Sequence, residues 1–213
     1  MGDLVFEVVR AAAVEHAASP SIALTVAIAA PGMELDGVLL RASVRIEASR
    51  RSHDAAERER LRELFGGDDV WARSPKSLLW AQTTSLVPSF TDAATAEVVL
   101  PCSYDLAASA FRYLHGLRGG NVPLTVQFSG TVFQRSSTGL RVVPIPWDRE
   151  TTCVIPLALF KDVIDAHFPG GAVVGLGRDV FERLDAYRRS AGLRTIDEAV
   201  NALLAAAGEE RVA

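Results

Sequence analysis

Across residues 38–49, VLLRASVRIEAS, apolar and polar positions alternate. Leu40, Ala42, Val44 and Ile46 fall on one side, and Arg41, Ser43, Arg45 and Glu47 on the other. Successive side chains of a strand point to opposite faces, so this is the pattern of a strand with one buried and one wetted face. SIALTVAIAA, after Pro20, sets the large Ile22, Leu24, Val26 and Ile28 against the small Ala23, Thr25 and Ala27. Between the two lies PGMELDG, whose Pro-Gly and Asp-Gly steps are turn signals. The pair is therefore expected to form a hairpin in an antiparallel sheet.

A first strand is expected within residues 4–16. SLLWAQTTSLVPSF and ATAEVVLPCSYD are extended segments in which Pro88 and Pro101 limit pairing. VPLTVQFSGTVFQ, GLRVVPIPW and TTCVIPL add three more strand-like runs, and Gly130 inside the first marks a bulge or a close approach. About eight short strands separated by polar turns predict a β-sandwich.

Elsewhere the period lengthens. In RRSHDAAERERLRELFGG, Ser52 or Asp54 can cap a helix that carries Leu61, Leu64 and Phe65 and stops at Gly66-Gly67. LAASAFRYLHGL has a helical face of Phe111, Leu114 and Leu117. After Pro156, LALFKDVIDAHF puts Leu159, Val163, Ile164 and Phe168 on one face. The expected fold class is α+β: a mostly antiparallel β-sandwich over residues 1–157, then a C-terminal helical region, 158–213, packed on or beside it.

The end of the chain, VVGLGRDVFERLDAYRRSAGLRTIDEAVNALL, runs strand, helix, turn, helix. That is the order of ribbon-helix-helix DNA-binding proteins, in which outward polar side chains of a paired strand read base edges. The ribbon here would be GAVVGLG, which has no Arg, Lys, Asn, Gln, Ser or Thr to donate to a base. The helices fit better. Val180, Leu184, Tyr187 and Ala191 stripe the first, which Gly192 ends. Thr195 with Glu198 forms a capping box for the second, whose apolar face is Ile196, Ala199, Val200, Leu203 and Leu204. Such a pair wants a partner surface, so packing or self-association is assigned to Val180, Leu184, Tyr187, Ile196, Val200, Leu203 and Leu204.

Composition narrows the function. The chain of 213 residues has a net charge of −4, which argues against a dedicated nucleic-acid binder. Two cysteines, Cys102 and Cys153, and four scattered histidines, His16, His53, His115 and His167, show no metal-ligand spacing. Both cysteines are expected to be buried thiols, and no metal or cofactor is expected. HExxH, GxSxG, SxxK and GxxxxGK[ST] are absent, so no enzymatic constellation stands out. The acidic pairs Asp68-Asp69 and Glu209-Glu210 look solvated. Without a secretory pattern or a long apolar run, the expectation is a cytoplasmic protein with no membrane span.

Two features invite a protein partner. Seven arginines fall between Arg41 and Arg62, with Arg41 and Arg45 on one strand face and Arg50 and Arg51 just beyond. Interleaved acids make a solvated face the plainer reading, with Glu57 satisfied by Arg60. The alternative is an anionic partner gripped by arginine forks. In VPIPWDRE, Pro144 and Pro146 fix an extended segment that ends at Trp147. Trp147 is read as a plug at the end of the sandwich core, or else as an interaction anchor. Arg41, Arg45, Arg50, Arg51 and Trp147 are the candidate partner-binding residues.

Taken together, VRIEASRR, the W…T…VPSF stretch, YLHGL…VPLTVQFSGTVF, PIPWDRE and the RLDAYRR…T.DEAV..LL tail resemble an uncharacterised bacterial family, domain-of-unknown-function family 6084, over nearly the whole chain. Genes of that family often lie near uptake nickel-iron hydrogenases. The resemblance therefore implies an accessory role around hydrogenase, with a hydrogenase subunit or maturation factor as partner. It brings no active-site residues. With two cysteines, the chain lacks the ligand set of a hydrogenase large subunit or of an iron–sulfur cluster. The expected function is a non-enzymatic accessory or scaffold protein. The rivals are a DNA-binding regulator using the tail and a small-molecule or enzymatic sandwich domain.

Overall fold

The computed structural model describes residues 4–67, 71, 77–105, 108–136 and 139–208. They belong to two compact units, Met1–Val173 and Val174–Ala213. The acidic pairs at 68–69 and 209–210 lie outside the described residues.

The first unit carries eight described strands: β1 (Val5–Ala13), β2 (Ser21–Leu35), β3 (Gly37–Glu47), β4 (Ser77–Val87), β5 (Phe90–Pro101), β6 (Asn121–Ser136), β7 (Gly139–Pro144) and β8 (Glu150–Pro156). One sheet has the order β1-β2-β5. The other has the order β4-β3-β6-β7, with β8 also on β6, and every pairing is antiparallel. The alternation seen in the sequence sets the inner faces. Ile22, Leu24, Val26 and Ile28 of one sheet and Leu40, Ala42, Val44 and Ile46 of the other are at most 1% exposed. Phe6 on β1 stacks on Phe128 on β6 across the layers, with ring centroids 4.6 Å apart. Each such large side chain contributes about 1.5–3 kcal/mol by leaving water.

The expected β2–β3 hairpin does not form. β2 and β3 sit in different sheets, and the chain changes sheet at Asp36. The Pro31-Gly32 step is not a turn either. β2 runs on through it, with an irregularity between Ala30 and Glu34, and the Gly32 N–H donates to Asp92 Oδ1 at 2.8 Å. Only residues 21–24 of β2 are buried at successive positions; beyond them Val26, Ile28 and Ala30 are buried, while Thr25 and Ala27 are half-buried and Ala29 is exposed.

Helices close the sandwich. α1 (Ala55–Arg60) and α2 (Arg62–Phe65) follow β3, α3 (Ser109–Gly116) precedes β6, and α4 (Leu157–His167) follows β8. Asp54 caps α1 in a complete capping box with Glu57. Phe160, Val163 and Ile164 of α4 join the sandwich core, and Phe160 meets Trp80 edge-on.

The second unit holds α5 (Arg178–Ser190) and α6 (Ile196–Ala206). Gly192, at φ +69°, makes the turn between them, and Arg188 Nη1 donates to the Leu193 carbonyl at 3.2 Å. Thr195 Oγ1 accepts the Glu198 N–H, but the Glu198 carboxylate takes the Arg194 N–H, so only half of the expected capping box is made. The expected strand in GAVVGLG is also corrected: residues 171–177 belong to no helix and to no ladder among the described residues. Among the described residues no helix is long and apolar enough to cross a membrane.

Candidate partner-binding surface

The arginine segment splits on folding. Arg41 is exposed on the outer face of β3. Arg45, four residues on, is tied down: its Nε donates to Ser77 Oγ at 2.7 Å, and Ser77 Oγ donates to Glu47 Oε1. Arg50 is exposed. Arg51 turns inward, where its guanidinium lies 2.6 Å from Glu57 Oε1 and donates to the Asn121 carbonyl. The expected Glu57–Arg60 pair is therefore replaced by Glu57–Arg51. Glu57 is 3% exposed and also accepts the Arg118 N–H. Burial alone would raise its pKa. The Arg118 N–H and the Arg51 charge outweigh that and hold it below the usual carboxylate value. Beside it, His53 Nε2 lies 2.9 Å from the Tyr113 hydroxyl. Burial, then the Arg51 charge, lowers the His53 pKa. This buried cluster fastens the α1 region to α3 and β6.

Trp147 is not a core plug. It is 92% exposed, at the tip of a loop that leaves the sheet edge between β7 and β8. The loop is pinned on both sides. The Ile145 N–H donates to the Gly130 carbonyl, and the Phe128 N–H donates to the Arg149 carbonyl. Ile145, 5% exposed, is the residue that fills the core. Gly130, at φ +129°, allows the close approach: a Cβ there would collide with the Leu39 carbonyl oxygen.

Strand register adds what the sequence does not display. On the outer face of the larger sheet, Leu86 on β4 pairs with Leu39 on β3, Leu39 with Thr131 on β6, and Thr131 with Pro144 on β7. In the adjoining row, Phe133 pairs with Val142. Leu86, Leu39, Val142 and Leu140 are all exposed, so an apolar patch spans four strands. Arg41, paired with Ser129, borders it, and the Trp147 loop leaves the edge at the level of Ser129. The residues of this patch are single apolar residues at wetted positions of their strands, as in VLLR or SLVP, or alternate ones, as Leu140 and Val142 on β7. That is an ordinary event singly and becomes a patch only in register.

The remaining candidates lie on the second unit. Leu184, Tyr187 and Ile196 are half-buried, whereas Val180, Val200, Leu203 and Leu204 stay exposed. A groove of about 460 Å³ runs between the helices.

The other reactive side chains serve packing. His115 stacks on Tyr104 and lies 2.8 Å from the Ser103 carbonyl, and His167 bridges the Val163 and Ala17 carbonyls. Burial pushes the Cys102 thiol up to about 12 and Cys153 to about 11, so neither is a ready nucleophile. Cys102 is buried and Cys153 half-buried. Among the described residues no group of three or more His, Cys, Asp or Glu is placed to hold a metal ion.

Comparison with known proteins gives little beyond a family. No curated protein matches the sequence. A putative late embryogenesis abundant protein aligns at 8% identity over 73% of this chain and 71% of its own, with a TM-score of 0.35. A β-glucosidase 3B from Thermotoga neapolitana, solved with glycerol, aligns at 12% identity over 71% of this chain with a TM-score of 0.28. A β-glucosidase from Kluyveromyces marxianus does so at 11% over 72%, with a TM-score of 0.27. The chain spans 16% and 15% of the length of those two enzymes. None of these likenesses is close enough to bear on function. Residues 1–212 match the family model described as "Family of unknown function (DUF6084)", and the chain belongs to that family.

Proposed function

We propose that this protein is a non-enzymatic accessory or scaffold protein that binds another protein through the outer face of its larger sheet. The observation that carries the reading is the four-strand apolar patch from Leu86 to Val142, with Trp147 held out beside it. Apolar surface concentrated this way is the usual mark of an interaction site, and a buried Trp is a frequent anchor in such interfaces. Arg41 at the border supplies a fork for a carboxylate on the partner. The resemblance noted in the sequence makes a nickel-iron hydrogenase subunit or maturation factor the first partner to test. Affinity capture from the native host, with mass spectrometry of bound proteins, tests it. The reading expects one enriched partner that is lost when Leu39 and Val142 become Ser and Trp147 becomes Ala. An identical set of captured proteins with the variant removes the patch from the account.

A further inference from the structure

We infer that β7 is a receiving edge: it takes an extended segment of the partner as an added strand, one with apolar side chains at alternate positions and a carboxylate between them. The inference rests on the reading above, that the outer face of the larger sheet binds a protein, and supplies the way the partner is held. It starts from the backbone. β7 ends its sheet and is paired on one side only, with β6. Two hydrogen bonds fix which of its amides face outward. The Ile145 N–H donates to the Gly130 carbonyl, so by alternation Val143–Val132 and Arg141–Gln134 are the bonded pairs of this ladder. The Phe133 carbonyl takes the Asp36 N–H on its β3 side, so Phe133–Val142 is a non-bonded pair. Both observations turn the N–H and C=O groups of Leu140 and Val142 away from β6. Among the described residues no backbone group pairs with them there. Pro144 takes the next outward position, where its missing N–H costs no bond to β6 and closes that end of the edge.

Free main-chain donors and acceptors in this spacing are complementary to an extended strand. The side chains define which strand. Leu140 and Val142, 61% and 58% exposed, carry the apolar patch out to this edge. A strand laid alongside continues the row only with apolar residues at its own alternate positions. Arg141, between them, belongs to the opposite face. It is exposed and has no ion pair among the described residues. Its cross-strand neighbour Gln134 is neutral, and the nearby Asp36 is engaged by Arg135. A carboxylate opposite Arg141 on the incoming strand supplies the missing charge.

A second copy of β7 does not meet these terms. Two copies paired antiparallel about Arg141 set like charges directly opposite each other. Paired about Val142, each turns its Pro144 ring onto the Leu140 carbonyl of the other. Paired about Leu140, each leaves Val142 beyond the end of the other strand, which begins at Gly139. The occupant is therefore a segment of a different protein with the pattern apolar, acidic, apolar.

Amide hydrogen exchange followed by NMR on the full chain tests this, with the capped peptide Ser-Thr-Val-Glu-Val-Thr-Ser as probe. Without peptide, the Arg141 and Val143 amides should be protected and those of Leu140 and Val142 should exchange fast. Saturating peptide should slow Leu140 and Val142 at least about tenfold. The same peptide with Lys in place of Glu should bind about threefold to tenfold more weakly. Val142→Pro removes an outward N–H and no bond to β6, so the chain should stay folded and lose the peptide. Should that variant melt early, Arg141→Glu leaves the backbone intact and should reverse the preference toward the Lys peptide. No binding at millimolar peptide, unprotected Leu140 and Val142 at saturation, equal affinity for the two peptides, or undiminished binding by folded Val142→Pro each overturns the inference. So does protection of these amides that grows with chain concentration alone, which assigns the edge to a second copy. In the host capture above, a partner lost from the Leu39, Val142 and Trp147 variant but kept by Val142→Pro removes the added strand and leaves the sheet-face reading in place.

Discussion

Ile145 and Trp147 stand two residues apart on one loop and face opposite media: the first is 5% exposed, the second 92%. Pro144 and Pro146 stiffen the loop, and its two ends are bonded to β6 at Gly130 and Phe128. The division of labour is measurable. Ile145→Ala should lower stability by about 2–5 kcal/mol in urea denaturation, because it opens a cavity in the core. Trp147→Ala should change it by less than about 0.5 kcal/mol, as exposed substitutions do.

The arginines divide in the same way. Arg51 sits against Glu57, with side chains 12% and 4% exposed. Arg51→Met leaves Glu57 buried with its charge unmatched, and should cost about 3–5 kcal/mol. Arg41→Ser removes an exposed group and should leave the denaturation midpoint in place. Equal losses for the two variants would show that the segment acts as one charged face.

Acid should weaken the fold in two steps. His53 is held below its ordinary value of 6.5, by burial first and then by Arg51. Once pH falls below about 6.5, the unfolded chain takes up a proton that the folded chain refuses, so stability declines toward the lower folded pKa. Glu57, held below its ordinary 4.5, adds a second loss as pH drops beneath that value. Thermal melts should show a falling midpoint from about pH 7 to pH 5.5. His53→Gln should flatten that first slope while lowering the plateau. An unchanged slope in the variant would place the sensitivity elsewhere.

Gly130 offers a backbone test. Its φ of +129° and the nearby Leu39 carbonyl leave no room for a Cβ. Gly130→Ala should cost more than about 2 kcal/mol, from strain at the dihedral and displacement of β3. A melt within a degree of wild type would contradict the tight β3–β6 approach.

The parts legible in the sequence were those set by local pattern. Alternation in 38–49 placed Leu40 to Ile46 inside and Arg41 to Glu47 outside, and helical stripes placed α4, α5 and α6. What a local pattern does not carry is which strand lies beside which. Asp-Gly at 36–37 has the same turn chemistry whether the chain doubles back or changes sheet, so local pattern pairs β2 with β3 although they lie in different sheets. The partner of Glu57 escapes local pattern for a similar reason. Arg60 is near in sequence, but Arg51 reaches the carboxylate from the preceding turn. Leu39, Leu86 and Val142 are spread over more than a hundred residues, and only β-ladder register makes them neighbours. Trp147 was ambiguous because a Pro-flanked Trp fits a core end and an anchor equally, and its neighbour Ile145 took the core position.

The most direct test of the partner surface is quantitative affinity capture from the native host. It compares the wild-type chain with Leu39→Ser/Val142→Ser/Trp147→Ala, after matching melting temperatures have shown both to be folded. All three side chains are on the surface, so the melts should agree. Removing an anchor and its apolar surround should reduce recovery of the enriched partner at least about tenfold, a loss of roughly 1.4 kcal/mol or more. Recovery of the same partner in equal amount by the folded variant would contradict the account.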